Sequence, residues 1–277
     1  NKIYNYSFTD RNFSISVNDT VSKIINQSEK TMELIDKNDF SNKFEFVNGK
    51  NESNDQDDFY RDFINNSDGI KYQFTTNPSG EFLDLLNTAE IEGNLLKITD
   101  KLGKQRKKSE DYKANITHIE DMIKSKTYVP YVFEQEVHVF NYFNGQYFRL
   151  GETYEGKSVQ ENIFGFPISS TTNTYLEEIN QAKGTYTIVS DQNLSKDDFE
   201  KLWEEMAYYM LNDAKLNLSQ EQVKKEIKKY SETVQLKVSY KNTYNLNSIL
   251  LKSDYFFSLN IGSKKTVNHL SINLLND

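Results

Sequence analysis

Residues 234–240, Val-Gln-Leu-Lys-Val-Ser-Tyr, alternate apolar and polar side chains at every step. A period of two is typical of a β-strand that buries one face and leaves the other in water. The runs 249–261 and 267–275 also favour strands, because they are rich in aromatic and β-branched residues. The end of the sequence therefore predicts a three-stranded antiparallel meander.

Two helices are predicted immediately before this meander. Ser195-Lys-Asp-Asp198 resembles a capping box, with Asp in place of the usual Glu or Gln. Ser219-Gln-Glu-Gln222 matches the capping box fully and predicts a second helix that runs to about Tyr230. The apolar face of the first helix would consist of Phe199, Leu202, Trp203, Met206, Met210 and Leu211.

The N-terminal part is predicted to mix helices with short strands. Residues 17–35 carry apolar side chains at steps of three and four, which predicts a helix. A short helix is expected over 57–64, where two aspartates suit a helix N-terminus. Residues 44–46 and 70–74 alternate as strands do. The wholly polar segment 48–58 begins with the turn dipeptide Asn-Gly and predicts a mobile surface loop.

The longest helical signal covers 81–124. Two heptad-like blocks of apolar residues are separated by the polar segment 103–109. A helical hairpin through this segment is the favoured interpretation, and one continuous helix is the alternative. A change of pattern after this region suggests two units: a helical or mixed region over 1–126 and an antiparallel α+β domain over 127–277.

After Pro130 the pattern favours strands. Asn144-Gly145 lies between two aromatic-rich runs, 131–143 and 146–150, which predicts a β-hairpin with a tight turn. Downstream we expect a loop over 151–173, a short helix over 174–182 and a strand over 185–189. The sequence as a whole thus predicts an α+β fold with helical pairs packed on short antiparallel sheets, ending in the helix-helix-three-strand meander.

Composition narrows the function. The chain has 277 residues, no cysteine and a formal net charge of -8. Zero cysteine excludes disulfides, thiolate metal sites and cysteine nucleophiles. The acidic balance disfavours general nucleic-acid binding, which needs clustered Lys or Arg. The preference for Lys over Arg suggests a low-GC Gram-positive bacterium, and exported proteins of such bacteria often lack cysteine.

No catalytic or metal-binding motif is present, and we expect neither cofactor nor metal. The three histidines, His118, His138 and His269, have no ligand spacing. The acidic run from Asp55 fails the EF-hand pattern, which needs Gly at the sixth position and Glu at the twelfth. As a weaker alternative, Glu134 and Glu136 would share one strand face. With His138 and Asp191, they are the candidates for a hydrolase acting on cell-wall polymer or carbohydrate.

Two groups of residues are the candidates for binding. The basic turn, Lys101 with Lys104, Arg106, Lys107 and Lys108, is suited to an anionic partner such as wall polymer or lipid headgroups, although a solvated turn is the simpler interpretation. The predicted aromatic hairpin has more rings than one buried face requires, which suggests either burial on both faces or an exposed patch for a partner. Its candidate binding residues are Tyr131, Phe133, Tyr142, Phe143 and Tyr147.

The sequence favours a non-catalytic extracellular or cell-surface domain that binds a protein or cell-envelope partner, or assembles with it. No signal peptide is visible in the sequence given, and no run reaches the ~20 apolar residues of a membrane span. Attachment to a membrane would thus need an anchor outside this sequence, as in a lipoprotein. The alternatives are the hydrolase and an intracellular immunity or phage-encoded interaction protein.

Overall fold

A single antiparallel sheet of 11 strands dominates the computed structural model, which describes residues 3–16, 19–104, 109–161, 167–193, 200, 204, 221–222, 235–261 and 264–275. The strands are β1 (Ile3–Ser16), β2 (Asp19–Lys37), β3 (Asn42–Ser53), β4 (Lys71–Thr76), β5 (Phe82–Leu85), β6 (Thr153–Glu161), β7 (Pro167–Asn180), β8 (Thr185–Asn193), β9 (Gln235–Asn245), β10 (Leu250–Ile261) and β11 (Lys264–Leu274).

Helices lie between the strands in the chain. Within the described ranges they are α1 (Asp58–Asn65), which joins β3 to β4, and α2 (Thr88–Lys104), α3 (Glu110–Lys124) and α4 (Gln135–Asn141), which connect the two halves of the sheet. A π-helical turn over Pro130–Glu134 directly precedes α4. None of the helices in this part of the chain is both long and apolar enough to cross a membrane.

The strand order is β5-β4-β3-β2-β1-β11-β10-β9-β8-β7-β6. Strands β1 to β5 follow one another from the centre of the sheet to one edge. The chain then passes through α2, α3 and α4 to the opposite edge, where β6 lies. Strands β6 to β11 then lead back inward. The first and last strands therefore pair at the centre, with Tyr6 opposite Leu274 and Phe13 opposite Val267.

Helix α4 covers the middle of one face of the sheet, which we call the inner face. The ring of Phe140 lies 4.9 Å from the rings of both Tyr6 and Phe46, and 5.7 Å from that of Phe8. All four of these aromatic side chains are buried. Because they come from β1, β3 and α4, the helix fixes its position against two strands at once.

A buried amide attaches the same helix to the other half of the sheet. Asn242 in β9 is fully buried, and its Nδ2 donates to the backbone oxygen of Val139, 3.1 Å away, and to the hydroxyl of Tyr244 at 2.9 Å. Ser253 in β10 donates to its Oδ1 at 2.6 Å. A buried amide is costly unless its hydrogen bonds are made, so this network specifies where α4 lies.

The predicted fold class is wrong, because one large sheet replaces the helical pairs on short sheets. Residues 17–35, predicted as a helix, belong mainly to β2, which pairs with β1 and β3. The apolar steps from Ile24 to Met32 include multiples of four, which fit a strand as well as a helix. Pairing on both sides of β2 then decides in favour of the strand.

The predicted aromatic hairpin is also wrong, because its first arm is helical: the π-helical turn and α4 occupy Pro130–Asn141. Phe133, Val137 and Phe140 are buried at steps of four and three, which is the helical period. Gly145 adopts a positive φ of 78° in a turn after the helix. Further along, the expected loop over 151–173 and helix over 174–182 are replaced by β6 and β7.

Several local predictions are confirmed. Helix α1 starts as expected, because the carboxylate of Asp57 accepts hydrogen bonds from the backbone N–H groups of Phe59 and Tyr60. Strands β4, β8, β9, β10 and β11 lie where alternation predicted strands. The region 81–124 contains β5 and then two helices, α2 and α3, rather than one long helix.

Two predictions are not decided. The helices expected from Ser195 and Ser219 lie outside the described residues, except that Glu200, Glu204, Glu221 and Gln222 are helical. The division of the chain at 126 and 127 also stays a prediction.

Gly49 gives a test of the sheet register. The dipeptide Asn48-Gly49, predicted as a turn, lies inside β3 beside a register shift in β2. A Cβ at Gly49 would come within 2.9 Å of the carbonyl oxygen of Glu29. We expect Gly49→Ala to lower the free energy of unfolding by ~1–3 kcal/mol in urea titrations, since backbone must move to admit the methyl group.

The matched control is Gly93→Ala in α2, where an added Cβ meets nothing within 4 Å. Alanine is the better helix former, so this variant should gain ~0.5–1 kcal/mol. Equal stabilities of Gly49→Ala and wild type would show that the register of β2 and β3 is wrong.

Candidate functional site

The best candidate site is a cavity of about 480 Å³ between α4 and the inner face of the sheet, which we call the central cavity. Strand alternation brings Phe8 and Asp10 of β1 to this face, together with Lys30 of β2. The neighbouring strands add Leu270 from β11, Tyr255 from β10 and Tyr240 from β9, and α4 contributes Glu136 and Val139. The lining thus combines apolar surface with a few charged and amide groups.

One end of the central cavity is an amide cluster around the carboxylate of Asp10. The Nδ2 of Asn12 donates to Oδ2 of Asp10 at 2.9 Å, and the Nδ2 of Asn268 donates to Oδ1 at 2.8 Å. Asn268 also contacts Oδ1 of Asn12 at 2.6 Å, and Asn26 from β2 is a third partner of Asp10. Three neighbouring strands therefore hold one carboxylate in a fixed orientation.

Burial raises the pKa of the Asp10 carboxyl, and it outweighs the opposing effects of the three asparagines and of His269 on the other face. Lys30 and Glu136 are the other charged groups in the cavity lining, and they pair with each other. A carboxyl with a raised pKa stabilises the folded state below its unfolded pKa, and this contribution disappears as the pH rises through the folded-state pKa. Near neutral pH the charge on Asp10 is therefore a cost.

The raised pKa of Asp10 predicts how the stability of the Asp10→Asn variant depends on pH. The two side chains are nearly equal in size. Between pH 3.5 and pH 7, urea unfolding should show the variant becoming progressively more stable relative to wild type, because only wild type acquires the charge. A difference in stability that does not change with pH would contradict the burial of this carboxylate.

Asp254 in β10 is a control, because its pKa is shifted in the opposite direction to that of Asp10. Burial alone would raise the pKa of Asp254, but hydrogen bonds and charge from Lys252 and His269 lower it overall. The ionised carboxylate of Asp254 therefore stabilises the folded state above its unfolded-state pKa, and this stabilisation disappears as the pH falls through the folded-state pKa. Asp254→Asn should therefore lose stability relative to wild type between pH 3.5 and pH 7.

A buried ion pair forms another part of the lining. The Nζ of Lys30 lies 2.5 Å and 2.6 Å from the two carboxylate oxygens of Glu136, with the side chains only 8% and 13% exposed. The hydroxyl of Tyr72 donates to the same carboxylate at 2.9 Å. Burial, together with this carboxylate, holds the pKa of Tyr72 well above its usual value, so the hydroxyl stays a donor. Lys30 also lies 4.8 Å from the ring centre of Phe8.

Removing one member of this ion pair should strongly destabilise the folded protein. Glu136→Ala leaves the buried ammonium group of Lys30 without its carboxylate, and we expect a loss of ~3–5 kcal/mol in the free energy of unfolding. Replacing both members by apolar residues, Lys30→Met with Glu136→Leu, should recover most of that loss.

The comparison is the exposed pair of Lys124 and Glu120, with an N–O distance of 3.0 Å. Lys124→Ala should cost less than ~1 kcal/mol. A similar small cost for Glu136→Ala would mean that Lys30 and Glu136 are accessible to water.

Aromatic rings border the cavity on the side of β9 and β10. The ring of Tyr240 stacks on that of Tyr142 at 4.5 Å and lies 4.8 Å from that of Tyr255. Burial raises the pKa of Tyr240 well above its usual value. These rings form a flat apolar wall and do not supply an acid or base near neutral pH.

The predicted aromatic binding residues do not form one surface. Phe133 and Phe143 are buried in the core, and Tyr142 is half-buried against Tyr240. Tyr147 is 95% exposed and borders a second cavity of about 300 Å³, which Phe143 also lines. The side chain of Tyr131 lies outside the described part of the structure.

The basic turn is described only in part. Lys101 contacts Asn66, and Lys104 pairs with Asp100 at 2.6 Å, both on the surface. Arg106, Lys107 and Lys108 lie outside the described residues. Binding by this turn, and by Tyr147, stays a prediction.

The candidate hydrolase residues are not arranged as the sequence suggested. Glu134 and Glu136 lie at the junction of the π-helical turn and α4, so they do not share a strand face. Glu136 is the partner of Lys30. Asp191 lies in β8, and burial lowers the pKa of His138, whose ring is 4.7 Å from that of Phe82.

The histidines do not come together either. His269 is 3.2 Å from Asp254 on the outer face of the sheet, and His118 lies on α3. Among the residues that the structure describes, no group of three or more His, Asp or Glu side chains is placed to hold a metal ion.

Sequence reasoning missed the amide cluster. Asp10 and Asn268 are 258 positions apart, and no local pattern connects them. The available signal was in β1, where Tyr4, Tyr6 and Phe8 alternate and Asp10 occupies the next position of the same face. A carboxylate at an inward position of an otherwise aromatic strand face is unusual enough to mark a site.

Comparison with known proteins does not assign a family. No protein-family model and no curated protein sequence matches this chain. Among solved structures, it is similar to a chain of lipovitellin, from a structure that concerns lipid–protein interactions, with a TM-score of 0.47 and 8% sequence identity. The match covers 99% of this chain but 25% of the lipovitellin chain. A similarity at this level carries no argument about function.

Proposed function

We propose that this protein is a non-catalytic binding domain that acts outside the cytoplasm and holds a small molecule in the central cavity. The observation that carries the proposal is the cavity itself. Its volume of about 480 Å³ lies within the ~300–1,000 Å³ usual for small-molecule sites. Its lining also has the usual composition, apolar walls with a few polar groups in fixed positions.

The state of the charged groups favours binding over catalysis. Lys30 and Glu136 are paired with each other, and the carboxylate of Asp10 is held by three amide side chains. Groups fixed in this way orient a ligand and contribute specificity. A general acid or base must contact a reacting atom directly, whereas Lys30 and Glu136 already bind each other.

Native mass spectrometry tests the proposal directly. Protein purified without denaturation from the cells that make it should carry a bound small molecule. Val139→Phe places a ring in the central cavity from the buried side of α4, so it should abolish the bound species. Overpacking is expected to cost ~1–3 kcal/mol, and thermal unfolding would show whether the variant folds. Ser28→Leu, on the opposite wall, is the second variant.

Val47→Phe is the control, because it adds the same atoms at an outward position of β3 and does not line this cavity. It should retain the bound species. Wild type without a bound molecule, or equal occupancy in wild type and Val139→Phe, would show that the proposed function is wrong.

A chain without cysteine has no thiol to be oxidised or cross-linked outside the cell, and this supports a location outside the cytoplasm. Cell fractionation tests this part separately. We expect the protein in the envelope fraction or the medium, and recovery in the cytosol would contradict it.

A further inference from the structure

Within the described part of the chain, the carboxylate of Asp10 has hydrogen bonds but no ion pair, and His269 acts on it only from the other face of the sheet. Among the described residues, no Lys, Arg or His forms an ion pair with it. Lys30, the cation in the cavity lining, pairs with Glu136 and lies four residues along β2 from Asn26, or about 13 Å at the usual rise per residue. Asp10 is half-buried, and carboxylates withdrawn from water are usually paired with a cation.

The surrounding amides leave part of Asp10 available. An ionised carboxylate has about four acceptor positions, and three asparagines use this carboxylate as a hydrogen-bond acceptor. Because Asp10 also lines the central cavity, a molecule inside the cavity can reach this carboxylate.

Apolar and aromatic side chains also lie next to Asp10, beside the asparagines. Leu270 is paired opposite Asp10 on β11, and Tyr255 is paired opposite Leu270 on β10. Phe8 lies two residues before Asp10 on the same face of β1. These side chains offer an apolar surface to the body of a ligand, and the aromatic rings also attract cations.

We propose that the ligand of the central cavity carries a protonated amine, which Asp10 binds, and an apolar portion that packs on Phe8, Leu270 and Tyr255. This inference rests on the proposed function, because it names the chemical class that the cavity takes. The ammonium group supplies the missing counter-charge and donates to the carboxylate. The amide cluster then holds the carboxylate in position, so little orientational freedom is lost on binding.

Isothermal titration calorimetry with two amines and two alcohols of similar size tests the inference. Phenethylammonium and hexylammonium are the charged probes, and 2-phenylethanol and 1-hexanol are the neutral ones. At pH 7.5, wild type should bind the amines about 10- to 100-fold more tightly than the alcohols, as expected for a charge-assisted hydrogen bond. Asp10→Asn should remove this preference, because the amines lose their counter-charge and bind no more tightly than the alcohols.

Two control variants separate the amine inference from the cavity. Asp254→Asn removes a carboxylate from the outer face and should bind all four probes as wild type does. Val139→Phe should lose amines and alcohols alike.

If alcohols bind as tightly as amines, or Asp10→Asn keeps the preference for amines, the amine inference is wrong. Loss of binding in Val139→Phe would still support the cavity as a site. If none of the four probes binds wild type, the amine inference is also overturned, and native mass spectrometry decides the proposed function independently.

Discussion

The candidate site depends on one contact, the packing of the seven-residue helix α4 against the middle of the sheet. An isolated helix as short as α4 (Gln135–Asn141) is not stable in water, so its contacts with the sheet must hold it. Phe140 packs on the aromatic rings of β1 and β3, and Asn242 binds the backbone of Val139 from β9. These contacts place Val139 and Glu136 over the inner face. Without them the central cavity would be an open surface of the sheet.

The inner face is unusual in how it distributes polarity. Most of its positions near α4 are aromatic or aliphatic, as expected for a core. At two places it admits charge: the pair of Lys30 and Glu136, and the cluster around Asp10. The first is internally neutral and the second is not, so only the second has an electrostatic reason to recruit a ligand. That difference is the reason for proposing Asp10, and not Lys30 or Glu136, as the group that binds a ligand.

Local sequence patterns predicted some parts of this structure and not others. They were reliable where one interpretation fitted, as in the alternating strands β9 and β4 or the Asp57 cap of α1. They failed in β2, where apolar residues four positions apart fit the helical period and the strand period alike. They also failed after Pro130, where aromatic residues favoured strands but form a helix. Glu136 attracted attention from sequence, but its role depends on Lys30, which is 106 positions away. The amide cluster joins three strands, and pairings between distant strands are not encoded in any local pattern.

The pairing of β1 with β11 also has a consequence for how the protein is made. Strand β1 stays without its second neighbour until β11 has left the ribosome, so one long edge of β1 is exposed while the residues between them are synthesised. Contacts between residues so distant in sequence also slow folding. Asp10 and Asn268 are 258 positions apart, so Asn268 is synthesised long after Asp10. The amide cluster of a nascent chain is therefore incomplete, and the binding proposed for Asp10 has to wait until β11 has been synthesised.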